Sequence, residues 1–449
     1  MDANKPRRYH IKTFGCQMNE YDSDRVAALL EEHHFTRAES AQSADIILLN
    51  TCSVRQKAAD KIYSELGRLK KLKRDNPRLL IGVGGCLAQH EPARLLKQFP
   101  CIDLIFGTQA LARLPGLLHA AAAGTRSVDV DPDACRTMYA RLPRPVIGPG
   151  RTSAFVSIMQ GCNNYCTYCI VPYVRGTEWS RTPDEVLEEV RLLIDSGVRD
   201  ITLLGQNVNS YGKTLSPPIA FAELLGRLNS LAGLARLRFI TSHPRDLSDG
   251  LIACFAGLDK LCEHIHLPLQ SGSDRILQAM NRSYTAAQYG ALIDKLRAAR
   301  PDISITSDII VGFPGETEQD FINTRDFIAR IGFDDLFIFH YTDREGTRAC
   351  RMPGKIDYAV KIQRLRELNA LQRGISRQRN ELLVGSIQEV LFEGPSSRNS
   401  ANLAGRTRSN KVVNCPARQD MQGRTAPVLI EKAGIHSLSG TLFQEQDSP

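Results

Sequence analysis

The sequence predicts an α/β protein in three parts. They are an N-terminal domain of βαβ units on a parallel sheet (residues 7–125), a central open (β/α)6 barrel (151–380) and a small C-terminal all-β module of the barrel or OB-like kind (381–446). Three observations predict it. Short apolar runs alternate with amphipathic helical stretches at the pitch of right-handed βαβ connections. Residues 131–150, DPDACRTMYARLPRPVIGPG, gather four prolines and two glycines without periodicity, as a linker does. After residue 380 the helical stretches give way to alternating β-branched and turn residues.

The elements follow in order. In the first part HIKTFG precedes the helical YDSDRVAALLEEH, DIILLN precedes VRQKAADKIYSELGRLKKLK, and LLIGVGG precedes a helical stretch from about Glu91. In the second, six runs read as strands: AFVSIM, DITLLG, RLRFIT, HIHLPL, ISITSDII and DLFIFH. Amphipathic segments such as PDEVLEEVRLLIDSG and EQDFINTRDFIARIG separate them. A complete barrel of this kind takes about eight strands, so six predict an open one. Residues 355–380 read as a basic helical connector, and SIQEVLFEG through SGTLF as the β module.

With 42% hydrophobic and 24% charged residues among 449, the chain can bury large cores, and disorder is excluded as its theme. Lys and Arg number 57 against 49 Asp and Glu, an excess of 8 that suits a polyanionic partner and equally a solvated basic surface. The N-terminus, MDANKPRRYH, lacks the apolar core of a secretory signal, and no run of about eighteen apolar residues offers a membrane span. A cytoplasmic location is expected. Twelve cysteines are then held reduced, which favours metal or redox chemistry over a disulfide framework.

The stretch GCNNYCTYC places Cys162, Cys166 and Cys169 just after the first barrel strand, with no fourth ligand nearby. A structural zinc ion wants four closed ligands. A four-iron cubane takes one thiolate per iron, so three cysteines leave one iron open to another ligand. Buried structural thiols or zinc remain the bland alternative. Cys16, Cys52 and Cys86 each follow one of the three N-terminal strands, in TFGC, LLNTC and VGGC. Neighbouring strands of a parallel sheet end on one edge, about 4.8 Å apart, so these three thiols can converge as ligands. Cys101, Cys135, Cys254, Cys262, Cys350 and Cys415 show no such pattern and are expected to be structural.

The spacing CxxxCxxC is that of the radical S-adenosylmethionine superfamily. Together TFGCQMNEYDS, NTCSVRQKAADK, GGCLAQ and SIMQGCNNYCTYCIVPYVRGTEWSR resemble the methylthiotransferase family of those enzymes over essentially the whole chain. LLGQNVNSYG, TSHPRDLSD and LPLQSGSDRILQAMNRSYT look like its tRNA-modifying branch. The resemblance implies replacement of hydrogen at carbon 2 of a dimethylallylated adenine beside the anticodon by a methylthio group. It implies a radical-generating 4Fe-4S cluster on Cys162, Cys166 and Cys169, an auxiliary 4Fe-4S cluster on Cys16, Cys52 and Cys86, and S-adenosyl-L-methionine. An external electron donor and a sulfur source follow from that chemistry, with tRNA as partner, no DNA, no membrane, and a monomer. The alternatives are a methylthiotransferase acting on threonylcarbamoyl-adenosine or a ribosomal protein, and a zinc-stabilised, non-catalytic RNA-binding protein.

Gly205, Gln206 and Asn207 end the second barrel strand, where this superfamily commonly places contacts to the cofactor's methionine amino group. Gln270, Ser271 and Asp308 also point to the mouth, and ordinary turn or cap roles compete at each position. His243 and His266 are candidate proton carriers or structural histidines. In the C-terminal module Arg398, Arg406, Arg408, Lys411, Arg418 and Arg424 face a single acid, Asp420, between residues 398 and 424. Such a stretch suits phosphate contacts, and EGPSSRNSANLAGRTRSNKVVN resembles an RNA-binding TRAM domain.

Overall fold

Residues 46–51 and 80–85, IILLNT and LIGVGG, have no polar face, and every residue in both runs is buried. That is the signature of parallel strands covered by helices on both sides. A computed structural model describes residues 7–53, 56–131, 142–144, 150–397 and 399–443. The chain forms two units, one of Met1–Ile147, Met159–Tyr165 and Cys169–Trp179, the other of Gly148–Ile158, Cys166–Tyr168 and Ser180–Pro449.

Among the described residues the first unit carries a six-stranded parallel sheet in the order β2-β1-β3-β4-β5-β6. Its strands are β1 (Arg8–Thr13), β2 (Thr36–Arg37), β3 (Ile46–Thr51), β4 (Leu80–Gly85), β5 (Leu104–Phe106) and β6 (Ser127–Asp129). The three expected strands, β1, β3 and β4, are neighbours at its centre. On one face Ile47, Leu49, Ile81 and Val83 pack with Ile62, Leu66 and Leu69 of the helix Gln56–Asp75. On the other, Ile46, Leu48 and Leu80 pack with Val26, Leu29 and Leu30 of the helix Gln17–Glu32. Leu142, from the predicted linker, belongs to this second core, while most of residues 131–150 lie outside the described residues.

In the second unit, six parallel strands form the predicted open barrel: β7 (Ser153–Ser157), β10 (Asp200–Leu204), β11 (Arg236–Phe239), β12 (His264–His266), β13 (Ser304–Val311) and β14 (Asp335–His340). The short strands β8 (Met159–Gln160) and β9 (Trp179–Ser180) lie between β7 and β10 in sequence. Two three-stranded sheets, β11-β10-β7 and β12-β13-β14, meet through a parallel bridge from Leu237 to Leu261. The connecting helices start where the sequence says they should. Thr182, Thr285 and Thr317 each accept from the backbone N–H three residues on and complete capping boxes with Glu185, Gln288 and Asp320.

Strand periodicity sorts the barrel's two faces. Ile201, Leu203, Leu237, Ile265, Ile305 and Ile309 are wholly inaccessible. Their neighbours on the opposite face include Asp200, Thr202, Arg236, Arg238, His264, His266, Thr306 and Asp308. The interior is polar, which suits a site more than a core.

The helix Tyr358–Glu381 leads to a closed five-stranded barrel of β15 (Ile387–Pro395), β16 (Leu403–Thr407), β17 (Val412–Cys415), β18 (Thr425–Ala433) and β19 (Leu438–Leu442). Val390, Phe392, Leu403, Val413, Val428, Ile430 and Leu438 fill it. Two buried arginines of β11 fasten this barrel to the central one. Arg236 Nη1 donates to the Arg406 carbonyl at 2.6 Å, and Arg238 donates to the carbonyls of Thr407 and Arg408, both at 2.9 Å, and to Asp200 Oδ2 at 3.0 Å.

Candidate active site

The register of the first sheet pairs Thr13 with Asn50 and Thr51 with Gly85, so β1, β3 and β4 end together. Cys16 lies just past β1 as the N-cap of the helix Gln17–Glu32, Cys52 directly follows β3, and Cys86 opens the helix Cys86–His90 after β4. All three predicted ligand positions thus share one edge, and none of the three is in a disulfide. A hydrogen bond with Cys52, against the opposition of burial and with help from the Arg175 charge, draws the Cys16 thiol down to about 6. Burial pushes Cys86 up, with Arg175 pulling the other way.

Arg175 ends the helix Val171–Arg175 and is buried. Its Nε donates to Cys86 Sγ at 3.3 Å and its Nη2 to Asp22 Oδ2 at 2.7 Å. Sequence reasoning missed this residue, although an arginine inside the otherwise apolar VPYVRG was a signal. Asn19 supports the edge by donating to Asn50 Oδ1 at 3.1 Å and to the Thr51 carbonyl at 2.9 Å. Gly15 has φ +127°, and a Cβ built on it would lie 2.4 Å from Cys52 Cβ and 3.1 Å from Cys52 Sγ. Only glycine leaves that room beside the thiol.

These features fit a thiolate-held iron–sulfur cluster: three soft donors on one edge, a glycine cradle, and a buried cation beside them to offset negative charge. Among the described residues no three His, Cys, Asp or Glu side chains are gathered about one point in the way that a single ion would need. A cubane asks less, one thiolate for each iron.

The second triad lies in the loop after β7 and β8. Gly161 has φ +76°, and a Cβ there would come within 2.1 Å of the Thr177 carbonyl oxygen. The Cys162 N–H donates to the Gly176 carbonyl at 3.2 Å. Cys166 belongs to the second unit, where Arg282 Nη1 donates to its Sγ at 3.5 Å. The next residue, Thr167, donates through its N–H to Met280 O at 3.0 Å and through Oγ1 to Ala279 O at 2.9 Å. Arg282 is buried, donating also to Pro268 O at 2.9 Å and to Tyr284 Oη at 2.9 Å. So one buried arginine attends each triad, and neither was anticipated.

At the mouth of the central barrel, Asn207 Oδ1, Ser242 Oγ, His243 Nε2 and Gln270 Oε1 are buried without hydrogen-bond partners among the described residues. Each follows the end of β10, β11 or β12. Buried polar atoms normally find partners, so four such orphans around one mouth fit a polar ligand. Asn207 is aimed by its Nδ2, which donates to Asp246 Oδ2 at 2.8 Å. Although burial opposes it, hydrogen bonds from Lys213 and Asn207 hold Asp246 down at about 2. Burial and the Arg282 charge push His243 down to about 2, so its ring is neutral. Its Nδ1 accepts from the Arg245 N–H at 3.2 Å, which puts the ring proton on Nε2. Ser242 was missed.

Gln270 stands at φ +73° and is tied to β13 by its N–H to Asp308 O at 2.8 Å. Gly205 and Gln206 sit where expected, between β10 and Asn207. Ser271 is spent differently: its hydroxyl lies 3.2 Å from Thr324 Oγ1 and accepts from the Ser273 N–H at 3.2 Å, packing the loop against the helix Glu318–Ile331. Asp308 and His266 sit deeper, with Asp308 Oδ2 3.5 Å from His266 Nε2.

The basic stretch divides. Arg408 donates from Nε to both oxygens of Glu263 at 2.9 and 3.0 Å and from Nη2 to the carbonyls of Asp259 and Leu261, and Lys411 Nζ lies 2.9 Å from Asp334 Oδ1. Both therefore tie the small barrel to the central one, with carboxylates already beside them. Arg406 is part exposed beside Glu393, Arg418 is 87% exposed, and Arg424 is exposed. Arg398 lies outside the described residues. No helix of the described residues is long and apolar enough to cross a membrane.

Residues 8–107 match the family model described as Uncharacterized protein family UPF0004, residues 156–328 that of the Radical SAM superfamily, and residues 381–443 that of the TRAM domain. A tRNA-2-methylthio-N(6)-dimethylallyladenosine synthase of Syntrophus aciditrophicus (strain SB) is 48% identical over 443 residues, 98% of this chain and 95% of that protein. A protein of the same name from Carboxydothermus hydrogenoformans is 47% identical over 97% of this chain and 99% of its own length. Among solved structures, the radical S-adenosylmethionine methyltransferase TsrM from Kitasatospora setae, with tryptophan and a SAM analog bound, superposes with a TM-score of 0.56 over 74% of this chain and 72% of that one. At 14% identity that likeness concerns the fold alone.

Proposed function

Because this chain belongs to the tRNA-2-methylthio-N(6)-dimethylallyladenosine synthase family of radical S-adenosylmethionine enzymes, we propose that it replaces the hydrogen on carbon 2 of a dimethylallylated tRNA adenine, beside the anticodon, with a methylthio group. The observation that carries this is identity of 48% sustained over 98% of the chain. It is a methylthiotransferase, and tRNA is its substrate.

Cys162, Cys166 and Cys169 would hold a four-iron cluster that, when bound, supplies the electron for cleaving S-adenosyl-L-methionine to a 5′-deoxyadenosyl radical. Cys16, Cys52 and Cys86 would hold an auxiliary cluster, the means of supplying sulfur. The protein's own groups bind and orient. The Asn207 and Gln270 carbonyl oxygens would accept from the amino group of the cofactor, and the His243 Nε2–H and the Ser242 hydroxyl would donate to its carboxylate. Arg282 and Arg175 sit against one thiol of each triad and offset the charge gathered there. An electron donor and a sulfur source come from outside the chain. One chain carries both triads, so a monomer in the cytoplasm suffices.

Mass analysis of tRNA nucleosides tests the reading. Cells without the gene are expected to lose the methylthio-dimethylallyl nucleoside and accumulate the dimethylallyl one; an unchanged nucleoside profile would overturn it. For RNA contact, Arg406, Arg418 and Arg424 remain as phosphate ligands. Replacing all three with Gln is expected to weaken tRNA binding and to lower its log–log salt slope by roughly 0.7–0.9 per lost contact. Replacing Arg408 alone should show its effect in thermal stability.

A further inference from the structure

The inner face of β12, β13 and β14 carries two accessible phenylalanines, Phe337 and Phe339. On β13 the side chains of Ile305, Ser307 and Ile309 are wholly buried, while those of the intervening Thr306, Asp308 and Ile310 are accessible. Asp308 is registered with Phe337 and Ile310 with Phe339 on β14, and His266 with Thr306 from β12. Phe337 is 47% exposed and Phe339 37%, which is unusual for phenylalanine inside a barrel, where side chains otherwise fill the space. The polar groups beside them are fixed. His266 Nδ1 lies 3.0 Å from Thr306 Oγ1, and its ring meets that of Phe337 edge to face at 5.8 Å.

From this arrangement we infer that the Phe337–Phe339 face is the seat of the acceptor base, taking the purine ring and dimethylallyl group of the tRNA adenine, with the His266–Asp308 pair at its polar edge. The inference rests on the function proposed above and adds the residues that select its substrate. Enzymes that act on a base take it out of its stack and hold it between aromatic or apolar side chains. A dimethylallyl-adenine is a flat π-face with an apolar branch, and two accessible phenyl rings in one registered row match both parts. The methionine end of the cofactor needs polar partners instead, and the orphaned atoms of Asn207, Ser242, His243 and Gln270 provide those elsewhere on the mouth.

The test compares Phe337→Ala, Phe339→Ala and Phe337→Tyr, in the reconstituted full chain, on anticodon hairpins carrying dimethylallyl-adenine or plain adenine. Each alanine variant is expected to raise the KM for the dimethylallylated hairpin roughly 10- to 100-fold and erase the preference over plain adenine. Phe337→Tyr should keep the preference, and equilibrium dialysis should find S-adenosyl-L-methionine affinity unaltered in all three. Unchanged KM and preference in both alanine variants would overturn the inference. Weakened cofactor binding with normal hairpin KM would also overturn it, assigning the face to the adenosyl group. If the wild type methylthiolates neither hairpin, the proposed function itself fails.

Discussion

Cys166→Ala is expected to abolish 5′-deoxyadenosine formation outright. On the proposed assignment Cys162, Cys166 and Cys169 give that cluster one thiolate for each of three irons, and among the described residues no further cysteine shares that loop after β7 and β8. Losing one donor of three would remove the cluster, and with it the route by which an external electron reaches the cofactor. The fold should survive, because Thr167 still anchors the loop to Met280 and Ala279, and Arg282 keeps Tyr284 and Pro268 O as partners. Cys262→Ala is the matched control. Its thiol is buried, and burial pushes it up to about 11, so it is an inert packing group whose removal should leave deoxyadenosine formation intact. The check is chromatographic assay of deoxyadenosine after anaerobic reconstitution and chemical reduction. Formation retained in Cys166→Ala would contradict the cluster assignment.

Arg238→Met is expected to destabilise the second unit by about 3–5 kcal/mol, the cost of leaving a buried charge without its partner. Arg238 and Asp200 are 7% and 5% exposed, and the same guanidinium satisfies the carbonyls of Thr407 and Arg408. Methionine fills similar volume and satisfies none of them. The midpoint of thermal unfolding should fall on the order of 10 °C. Pairing it with Asp200→Leu should restore much of the loss, because the pair together costs desolvation that apolar neighbours do not. A single variant as stable as wild type would show that the small barrel is not held through β11.

Much of this was legible in the sequence for physical reasons. β3 and β4 could be read because strands covered on both sides are apolar along most of their length. The barrel's six strands could be read because each ends at a turn signal and a helix of clear period. β2 has two residues, and β5 and β6 three each, too few to display any period. The six thiols were legible because their spacing and strand-end positions are features of the chain itself. Their arginines were not: Arg175 meets Cys86 across 89 positions and Arg282 meets Cys166 across 116. The carboxylate partner of Arg408 was hidden for the same reason. A basic residue at a strand end reads alike whether it faces phosphate or a carboxylate 145 positions away, and here it faces Glu263. Ser271 looked like a ligand because hydroxyls at strand ends often are, and only packing reveals Thr324 beside it.

The central claim is that two thiol triads hold two separate four-iron clusters with different tasks. Anaerobic reconstitution of the wild type and of a Cys16→Ala, Cys52→Ala, Cys86→Ala variant, followed by iron and sulfide analysis with deoxyadenosine and nucleoside assays, tests it most directly. The variant is predicted to keep roughly half of the wild-type iron, to go on making deoxyadenosine, and to make no methylthiolated tRNA. A variant that keeps the full wild-type iron, or that methylthiolates tRNA at the wild-type rate, would contradict the account.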